Sequence, residues 1–433
     1  MNEVAVGIIG LGIILLMFLT GIELAFAMIL VGFVGFAYLT SLSAAFSLLA
    51  KDVYTVFSSY SFTVIPLFVL MGQVAFNSGI AKRLFDSAHK FVGHIPGGLA
   101  MSTVVGATAF KAICGSSPAT AATFASVAIP EMDRYGYARK LSTGIVATVG
   151  TLGIILPPSV TLIIYGIITD VSIGRLFLAG ILPGLLIAFL FVCVIFCWCK
   201  INPKIGPRSE KSTWGARFRT LPDVIWVAII FFLMIGGILD GFFTPTEAGS
   251  VGTFLVLILS FSKRDLNFKG YLKSASDSIR TAVMVLTLLL GSTILGHFIA
   301  VTKIPLITAD WLIGLALPSW GIILLVAVIY LVGGSFIDDL AFMILATPIF
   351  YPAIIKLGYD PLWFGILIGI IVMVGIVIPP VATVVFVVSK MAKTPLGVVY
   401  SGVYPFLLSL AVGAIFVFLF PGLATWLPNW LMP

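Results

Sequence analysis

Long apolar runs separated by short polar segments make up most of this chain. A helix that spans a bilayer needs about 20 apolar residues, and roughly ten of the runs approach that length. They predict spanning helices at 4–20, 23–40, 61–79, 140–169, 174–199, 222–239, 246–262, 281–300, 361–389 and 396–420. The pattern therefore predicts an all-α polytopic membrane protein.

Two further apolar stretches, 101–130 and 320–349, are interrupted near their centres by small and polar residues. The interruptions read GSSPAT at 115–120 and GGSFIDD at 333–339. Non-helical backbone at membrane depth is tolerated only where it is buried in protein or lines a cavity. We therefore predict that each stretch forms a re-entrant hairpin, which enters and leaves the membrane on one side.

Composition supports a membrane protein, because 60% of the 433 residues are hydrophobic and only 9% are charged. A soluble domain would need a more highly charged exterior. The first apolar run follows Glu3 without a basic segment, which favours a retained spanning helix over a signal peptide. The cysteines lie in apolar segments and show neither a disulfide framework nor zinc spacing; they are Cys114, Cys193, Cys197 and Cys199.

The distribution of basic residues predicts the orientation. Segment 200–220 carries six Lys or Arg against one Glu, so we place it in the cytoplasm. The predicted spans then put 20 of the 24 Lys and Arg on the cytoplasmic side and both termini outside. The exceptions are Lys51, Arg175, Lys303 and Lys356. Residues 80–95 predict an amphipathic helix on the cytoplasmic surface, and 263–280 resembles it less clearly.

The two halves of the chain are related by an internal repeat. An offset of 222 aligns 130–183 with 352–405 without a gap, and its identities are mostly Gly and Pro, which fix backbone geometry. They are Pro130/Pro352, Gly136/Gly358, Tyr137/Tyr359, Gly153/Gly375, Ile154/Ile376, Pro157/Pro379, Pro158/Pro380, Thr161/Thr383, Gly180/Gly402 and Pro183/Pro405. Upstream, offsets of 219 and 224 pair Gly72/Gly291, Gly115/Gly334, Ser116/Ser335, Thr20/Thr244 and Glu23/Glu247. Each half then makes five crossings, so the halves are inverted repeats.

The repeat divides the chain into paired segments. We predict scaffold helices at 1–60 and 221–280, a helix with an arm at 61–100 and 281–319, transport-domain halves at 101–170 and 320–390, closing helices at 171–200 and 391–433, and a cytoplasmic loop at 201–220. Inverted repeats with paired broken helices are typical of alternating-access transporters. A duplicated channel and a membrane enzyme are the alternatives. We expect no enzyme, because the sequence shows no catalytic triad, metal cluster or phosphate loop.

Each transport-domain half contains a Pro-Pro pair inside a predicted spanning helix. Proline removes N–H donors and disrupts the preceding turn, so both helices should unwind there and expose carbonyl oxygens. Such oxygens suit a hard cation. We predict two sodium sites, one in each half. Their candidate residues are Gly115, Ser116, Gly153, Pro157 and Thr161 in the first half, and Gly334, Asp338, Gly375, Pro379 and Thr383 in the second.

The substrate should lie between the two hairpin tips. The candidate substrate-binding residues are Ser116, Ser117, Ser159, Ser335, Asp338 and Asp339. We expect Lys111 to cap the cytoplasmic end of the first hairpin rather than to contact substrate. Protons are the rival coupling ion, and Asp338 and Asp339 are well placed for a relay, whereas His89, His94 and His297 are not. Alternatively, one of the two acids only ties the hairpin by hydrogen bonds. Glu23 and Glu247 sit near helix starts, where acids favour the helix dipole, so we expect a structural or subunit-contact role rather than a transport role.

Four segments together resemble the large membrane (M, DctM-like) subunit of tripartite ATP-independent periplasmic (TRAP) transporters. They are GSSPATAAT at 115–123, ILPPS at 155–159, FTPTEAG at 243–249 and IPPVAT at 378–383. The resemblance covers nearly the whole chain. It implies an elevator-type fold of the ion-transporter superfamily and sodium-driven uptake of organic acids, such as C4-dicarboxylates or sialic acid, across the bacterial inner membrane.

The resemblance also implies two partners. One is a small four-helix membrane subunit (Q-type), and the other is a periplasmic substrate-binding protein (P-type) that delivers the solute. No organic cofactor is expected. The alternative within transporters is a stand-alone sodium or proton/carboxylate symporter of the same superfamily, which would move free solute without a binding protein.

Overall fold

The computed structural model describes residues 2–432, and within that range all regular structure is helical. Two 3-10 turns lie at Tyr60–Thr63 and Thr151–Ile154. In chain order the α-helices are α1 (Glu3–Leu19), α2 (Leu24–Leu39), α3 (Leu42–Ser58), α4 (Val64–Asn77), α5 (Ile80–Val92), α6 (Gly98–Lys111), α7 (Ser117–Arg134), α8 (Arg139–Gly150), α9 (Val160–Thr169), α10 (Ile173–Ile201), α11 (Trp214–Leu239), α12 (Pro245–Ser262), α13 (Phe268–Val301), α14 (Ile304–Gly314), α15 (Ser319–Phe336), α16 (Asp339–Lys356), α17 (Pro361–Gly375), α18 (Thr383–Ala392), α19 (Leu396–Leu419) and α20 (Gly422–Leu431). Eight helices in the described range are long and apolar enough to cross a membrane. The all-α membrane fold is thus confirmed.

Both halves contain the same unit at their centre. A helical hairpin (α6–α7 or α15–α16) is followed by a helix that is interrupted at a Pro-Pro pair (α8 and α9, or α17 and α18), and then by a long helix (α10 or α19). Both interruptions lie where the paired prolines were expected to unwind the helix. The internal repeat therefore reflects a repeated order of structural elements.

Local sequence signals fix several helix starts. At the start of α12 the Thr244 N–H donates to Glu247 Oε2 at 2.7 Å, and the Glu247 N–H donates to Thr244 Oγ1 at 3.3 Å. This capping box satisfies two N–H groups that a helix N-terminus otherwise leaves unpaired. Glu247 therefore has the structural role that was predicted. Glu23 precedes α2 without a side-chain capping bond.

Two helical segments differ from the sequence prediction. Residues 42–58 form a separate helix, α3, although Lys51 and Asp52 interrupt its apolar pattern. In the second half the predicted arm at 263–280 is not separate from the following span, because α13 runs unbroken for 34 residues. The polar segment 269–280 lacks an apolar run but contains no proline, so nothing stops the helix. Helix α11 likewise begins at Trp214, inside the predicted loop 201–220.

The predicted amphipathic arm at 80–95 is present as helix α5. Its apolar face, which includes Leu84 and Phe85, is buried against α6 and α11. On its polar side Arg83 pairs with Asp223 at 3.3 Å and also with Asp265. Asp223 lies within α11 and Asp265 follows the end of α12, so these ion pairs join α5 to two scaffold helices.

The helices of the predicted scaffold and those of the predicted transport-domain halves, which keep these names below, pack largely as two groups. In the scaffold, α2 and α13 approach closely, because a Cβ added at Gly32 would lie 2.8 Å from the Leu295 backbone nitrogen. Helix α4 packs on both α12 and α13. In the transport domain, α8 packs on α7 and α19, and α17 packs on α15. The two groups meet where α5 packs on α6, where α14 and α13 contact α16, and where α4 contacts α7 and α9.

Candidate functional site

A cavity of about 330 Å³ lies where the two groups of helices meet. Its transport-domain wall consists of the first hairpin tip, the second hairpin tip and the start of α9. Its scaffold wall comes from α4 and α13. The lining residues are Phe68, Val69, Gly72, Gln73, Phe76, Gly115, Ser116, Ser117, Pro118, Ala119, Ala122, Val160, Thr161, Thr281, Met284, Val285, Asp338, Asp339 and Leu340.

The N-termini of the two hairpin-tip helices, α7 and α16, lie at this cavity. Ser116 caps α7, and its Oγ accepts a hydrogen bond from the Ala119 N–H at 3.4 Å. Asp338 caps α16, and its Oδ1 accepts from the Leu340 N–H at 3.2 Å. A helix N-terminus carries unpaired N–H groups and a partial positive charge, which favour a bound anion. The hairpin tips therefore offer donors to the cavity as well as carboxylates.

Asp339 links the two predicted halves of the transport domain. Asp339 is buried, with 7% of its surface exposed. The Thr161 hydroxyl at the start of α9 donates to Asp339 Oδ2 at 3.4 Å. Thr161, which was predicted beside the first cation site, thus bonds the second hairpin. All lining residues lie within the described chain, and none is Lys or Arg.

The first helix interruption is enclosed, and every residue from 151 to 160 is buried. Gly115 at the hairpin tip lies against it, since an added Cβ would be 2.5 Å from the Pro158 oxygen. Lys111 also reaches this point. Its side chain lies over Gly153, and its Nζ donates to the Ser116 carbonyl at 3.0 Å.

The expectation for Lys111 was therefore wrong. Lys111 is 0% exposed and its ammonium lies at the first hairpin tip, not at the cytoplasmic end of the hairpin. The helix α6 ends at Lys111, and the four-carbon side chain follows the chain direction towards the tip. A long side chain places its charge several ångströms from its Cα, and that reach was overlooked.

The second interruption is more open. Residues 379–381, which include Pro379, are exposed. Gly375 lies against the hairpin tip, with an added Cβ 2.8 Å from the Gly334 carbonyl carbon. The Val381 N–H donates to the Ser335 carbonyl at 3.2 Å. Thr383 is the first residue of α18. Of the residues predicted for the second sodium site, Gly334 and Gly375 are thus in contact, while Asp338 lines the cavity.

The structure brings four of the six predicted substrate residues to the cavity: Ser116, Ser117, Asp338 and Asp339. Ser159 does not line it, because its hydroxyl donates to the Ile154 carbonyl at 2.6 Å and caps α9. Ser335 does not line it either, and its hydroxyl donates to the Val332 carbonyl at 2.7 Å. Both side chains stabilise the backbone beside the site. Gly153 and Pro157 are buried at the first interruption, also outside the lining.

Sequence reasoning missed the scaffold side of the cavity. Gln73 and Thr281 supply its polar groups, and Phe68, Phe76 and Met284 supply apolar surface. The repeat contained a signal, because Gly72 is one of its matched glycines. A Cβ at Gly72 would lie 3.4 Å from Cys114 Sγ, so this glycine marks where α4 approaches the hairpin.

Known proteins resemble this chain along nearly its whole length. The C4-dicarboxylate TRAP transporter large permease protein DctM of Pseudomonas aeruginosa is 34% identical over 88% of this chain and 90% of its own. The ectoine TRAP transporter large permease protein TeaC of Halomonas elongata is 33% identical over 85% of this chain and 86% of its own.

The solved YdaH transporter of Alcanivorax borkumensis has the same fold. Its TM-score is 0.55 at 16% identity, covering 88% of this chain and 89% of that one. The family described as the DctM component of the tripartite ATP-independent periplasmic transporter matches residues 11–423. The chain therefore belongs to this family of multi-span TRAP transporter large permeases.

Proposed function

We propose that this protein carries out sodium-coupled secondary uptake of an organic acid anion across the bacterial inner membrane. The observation that carries the proposal is the cavity, which lies between the two hairpin tips and against the scaffold helices. A site at the interface of repeats, built from interrupted helices, is the arrangement that alternating-access transporters use. The proposed movement is an elevator, in which the hairpins and broken helices slide as a unit along α4 and α13.

Sodium is the proposed coupling ion, because helices end beside the cavity and leave irregular backbone there. Carbonyl and carboxylate oxygens are the ligands that hard cations prefer. At the second interruption, Gly334 and Gly375 are in backbone contact, and Asp338 lies at the same hairpin tip. A proton relay through Asp338 and Asp339 is the competing mechanism, since intramembrane acids serve such relays.

An organic acid is the proposed substrate class. Its carboxylate would be held by the Ser116 and Ser117 hydroxyls and by the N-termini of α7 and α16. A C4-dicarboxylate and a sialic acid both fit this description. A second candidate is a solute that also carries a positive charge, because Asp338 and Asp339 line a cavity that has no lining Lys or Arg among the described residues.

We propose that the protein acts with a small four-helix membrane subunit and a periplasmic solute-binding protein. The family description as a component of a tripartite periplasmic system supports this assembly. The exposed apolar residues of α1 and α2, which include Leu16 and Leu19, give the scaffold a surface for lipid or a membrane partner. The basic-residue distribution supports an orientation with both termini in the periplasm.

Reconstitution in proteoliposomes tests the proposal. The chain, its small subunit and its binding protein should take up labelled solute when an inward sodium gradient is imposed at fixed pH. Uptake should stop when the gradient is collapsed. Uptake that persists under a proton gradient alone would overturn sodium coupling. Uptake of free solute by the chain alone would favour the stand-alone symporter.

The substrate class has a separate test. The purified binding protein is titrated with a C4-dicarboxylate, a sialic acid and ectoine, and the bound solute is then offered to the proteoliposomes. Saturable uptake of a plain anion supports the first candidate. Selective uptake of ectoine, whose ring carries a positive charge, supports the second.

A further inference from the structure

Matched carbonyl groups at the two hairpin tips have different hydrogen-bond donors. Ser116 and Ser335 are matched by the repeat, and each stands at a hairpin tip. The Ser335 carbonyl accepts a hydrogen bond from the backbone N–H of Val381. The Ser116 carbonyl accepts from the Thr120 N–H at 3.1 Å and the Thr120 hydroxyl at 2.9 Å, and in addition from the Lys111 ammonium at 3.0 Å. A positive charge thus lies at the first tip and not at the matched carbonyl of the second.

The residues that surround the ammonium show that this position is built for it. An added Cβ at Gly153 would overlap Lys111 Nζ and would lie 3.0 Å from its Cε. Gly153 therefore leaves the space that the lysine fills. The repeat pairs Gly153 with Gly375, which instead touches the Gly334 backbone. The repeat offset of 219 pairs Lys111 with Tyr330, whose neutral hydroxyl bonds Thr347 at 3.2 Å.

The Lys111 ammonium is buried without a carboxylate partner. Lys111 is fully buried, and no carboxylate within residues 2–432 lies within 4.0 Å of its Nζ. A buried charge is costly unless polar groups compensate it. The Ser116 carbonyl at the first hairpin tip therefore supplies the contact that this cation requires.

We infer that the Lys111 ammonium is a built-in cation that takes the place of the first sodium ion, so that the chain binds sodium only at the second interruption. This inference rests on the proposed sodium coupling and specifies its stoichiometry. Accessibility agrees with the assignment. The first interruption is buried from 151 to 160, whereas residues 379–381 of the second lie at the surface of the chain.

Sodium binding to the full-length chain in detergent tests this inference directly. Radioactive sodium is titrated against the wild type, Lys111→Ala, Lys111→Met and the control Lys269→Ala, which removes an exposed lysine at the start of α13. The wild type and the control should each bind one sodium ion. Lys111→Ala should bind two sodium ions, because removal of the ammonium leaves space for a sodium ion beside the Ser116 carbonyl. Lys111→Met should bind one, since an apolar side chain fills the space without restoring the site.

The outcomes separate this inference from the proposed function. A wild type that binds two sodium ions, or a Lys111→Ala variant that binds one, overturns the built-in cation while sodium coupling stands. A wild type that binds none and takes up solute without a sodium gradient overturns both. If Lys111→Ala does not fold, the sodium dependence of wild-type uptake decides. A Hill coefficient near one supports the inference, and a coefficient near two contradicts it.

Discussion

Substitution of Gly375 by alanine probes the contact between the second hairpin tip and the broken helix. The added Cβ would lie 2.8 Å from the Gly334 carbonyl carbon and 3.1 Å from its oxygen, whereas ordinary contact begins at 3.4 Å. The tip and the helix must therefore separate by roughly 0.6 Å (3.4 minus 2.8). Overpacking of this kind costs about 1–3 kcal/mol, which exceeds the about 0.5–1 kcal/mol that alanine gains over glycine in a helix. We expect a net loss of stability.

The same displacement should weaken sodium binding, since oxygen ligands must hold their distances to within about 0.2 Å. We expect the sodium concentration for half-maximal uptake to rise at least about tenfold, the equivalent of 1.4 kcal/mol. The assay is uptake against sodium concentration in proteoliposomes, with a thermal midpoint in detergent. Gly296→Ala is the matched control, because Gly296 lies inside α13 with no atom within 4 Å of an added Cβ. Wild-type sodium dependence in Gly375→Ala would refute the reasoning.

Four further predictions follow from other parts of the structure. Asp339→Asn keeps the shape of a buried side chain but removes its charge, and we expect uptake to fall more than about tenfold at unchanged expression, which corresponds to an activation free energy higher by at least about 1.4 kcal/mol. Unchanged uptake would argue against a role for this carboxylate. Ala122→Trp places a large ring in the cavity wall and should abolish uptake while the thermal midpoint stays within a few degrees, and uptake at the wild-type rate would show that solute does not use the cavity. Thr244→Ala removes the α12 capping box and should destabilise the protein by about 1 kcal/mol without altering the sodium dependence of uptake, both measured as above. Burial lowers the pKa of His89 from 6.5, so the unfolded chain binds the proton more readily than the folded chain, and stability should fall as the pH drops below that value. The variant His89→Gln should therefore flatten the dependence of the thermal midpoint on pH between about 7 and 5.

The sequence was sufficient for the backbone of the site. Paired glycines and prolines report backbone geometry directly, so the Pro157 and Pro379 interruptions and the two hairpins were predictable. The same repeat matched Gly115 with Gly334, and both lie at hairpin tips. Side-chain direction was less predictable. Ser159 and Ser335 lie close in the sequence to residues that line the cavity, but their hydroxyls donate to nearby backbone carbonyls and do not line it.

The scaffold wall could not be predicted from the repeat. Gln73 and Thr281 reach the cavity only because α4 and α13 cross the hairpins at that height, and helix crossing depends on packing that periodicity does not record. Lys111 was misplaced for a related reason. Its position in the sequence is before the tip, whereas its charge is at the tip.

Helix α13 also shows where the cavity lies along the scaffold. With 34 residues it is about 51 Å long at 1.5 Å per residue, against a hydrocarbon core of about 30 Å. Its cavity-lining residues, Thr281 to Val285, lie roughly 20 Å from its first residue and about 24 Å from its last. The cavity therefore lies near the midpoint of one continuous helix, at comparable distances from its two ends.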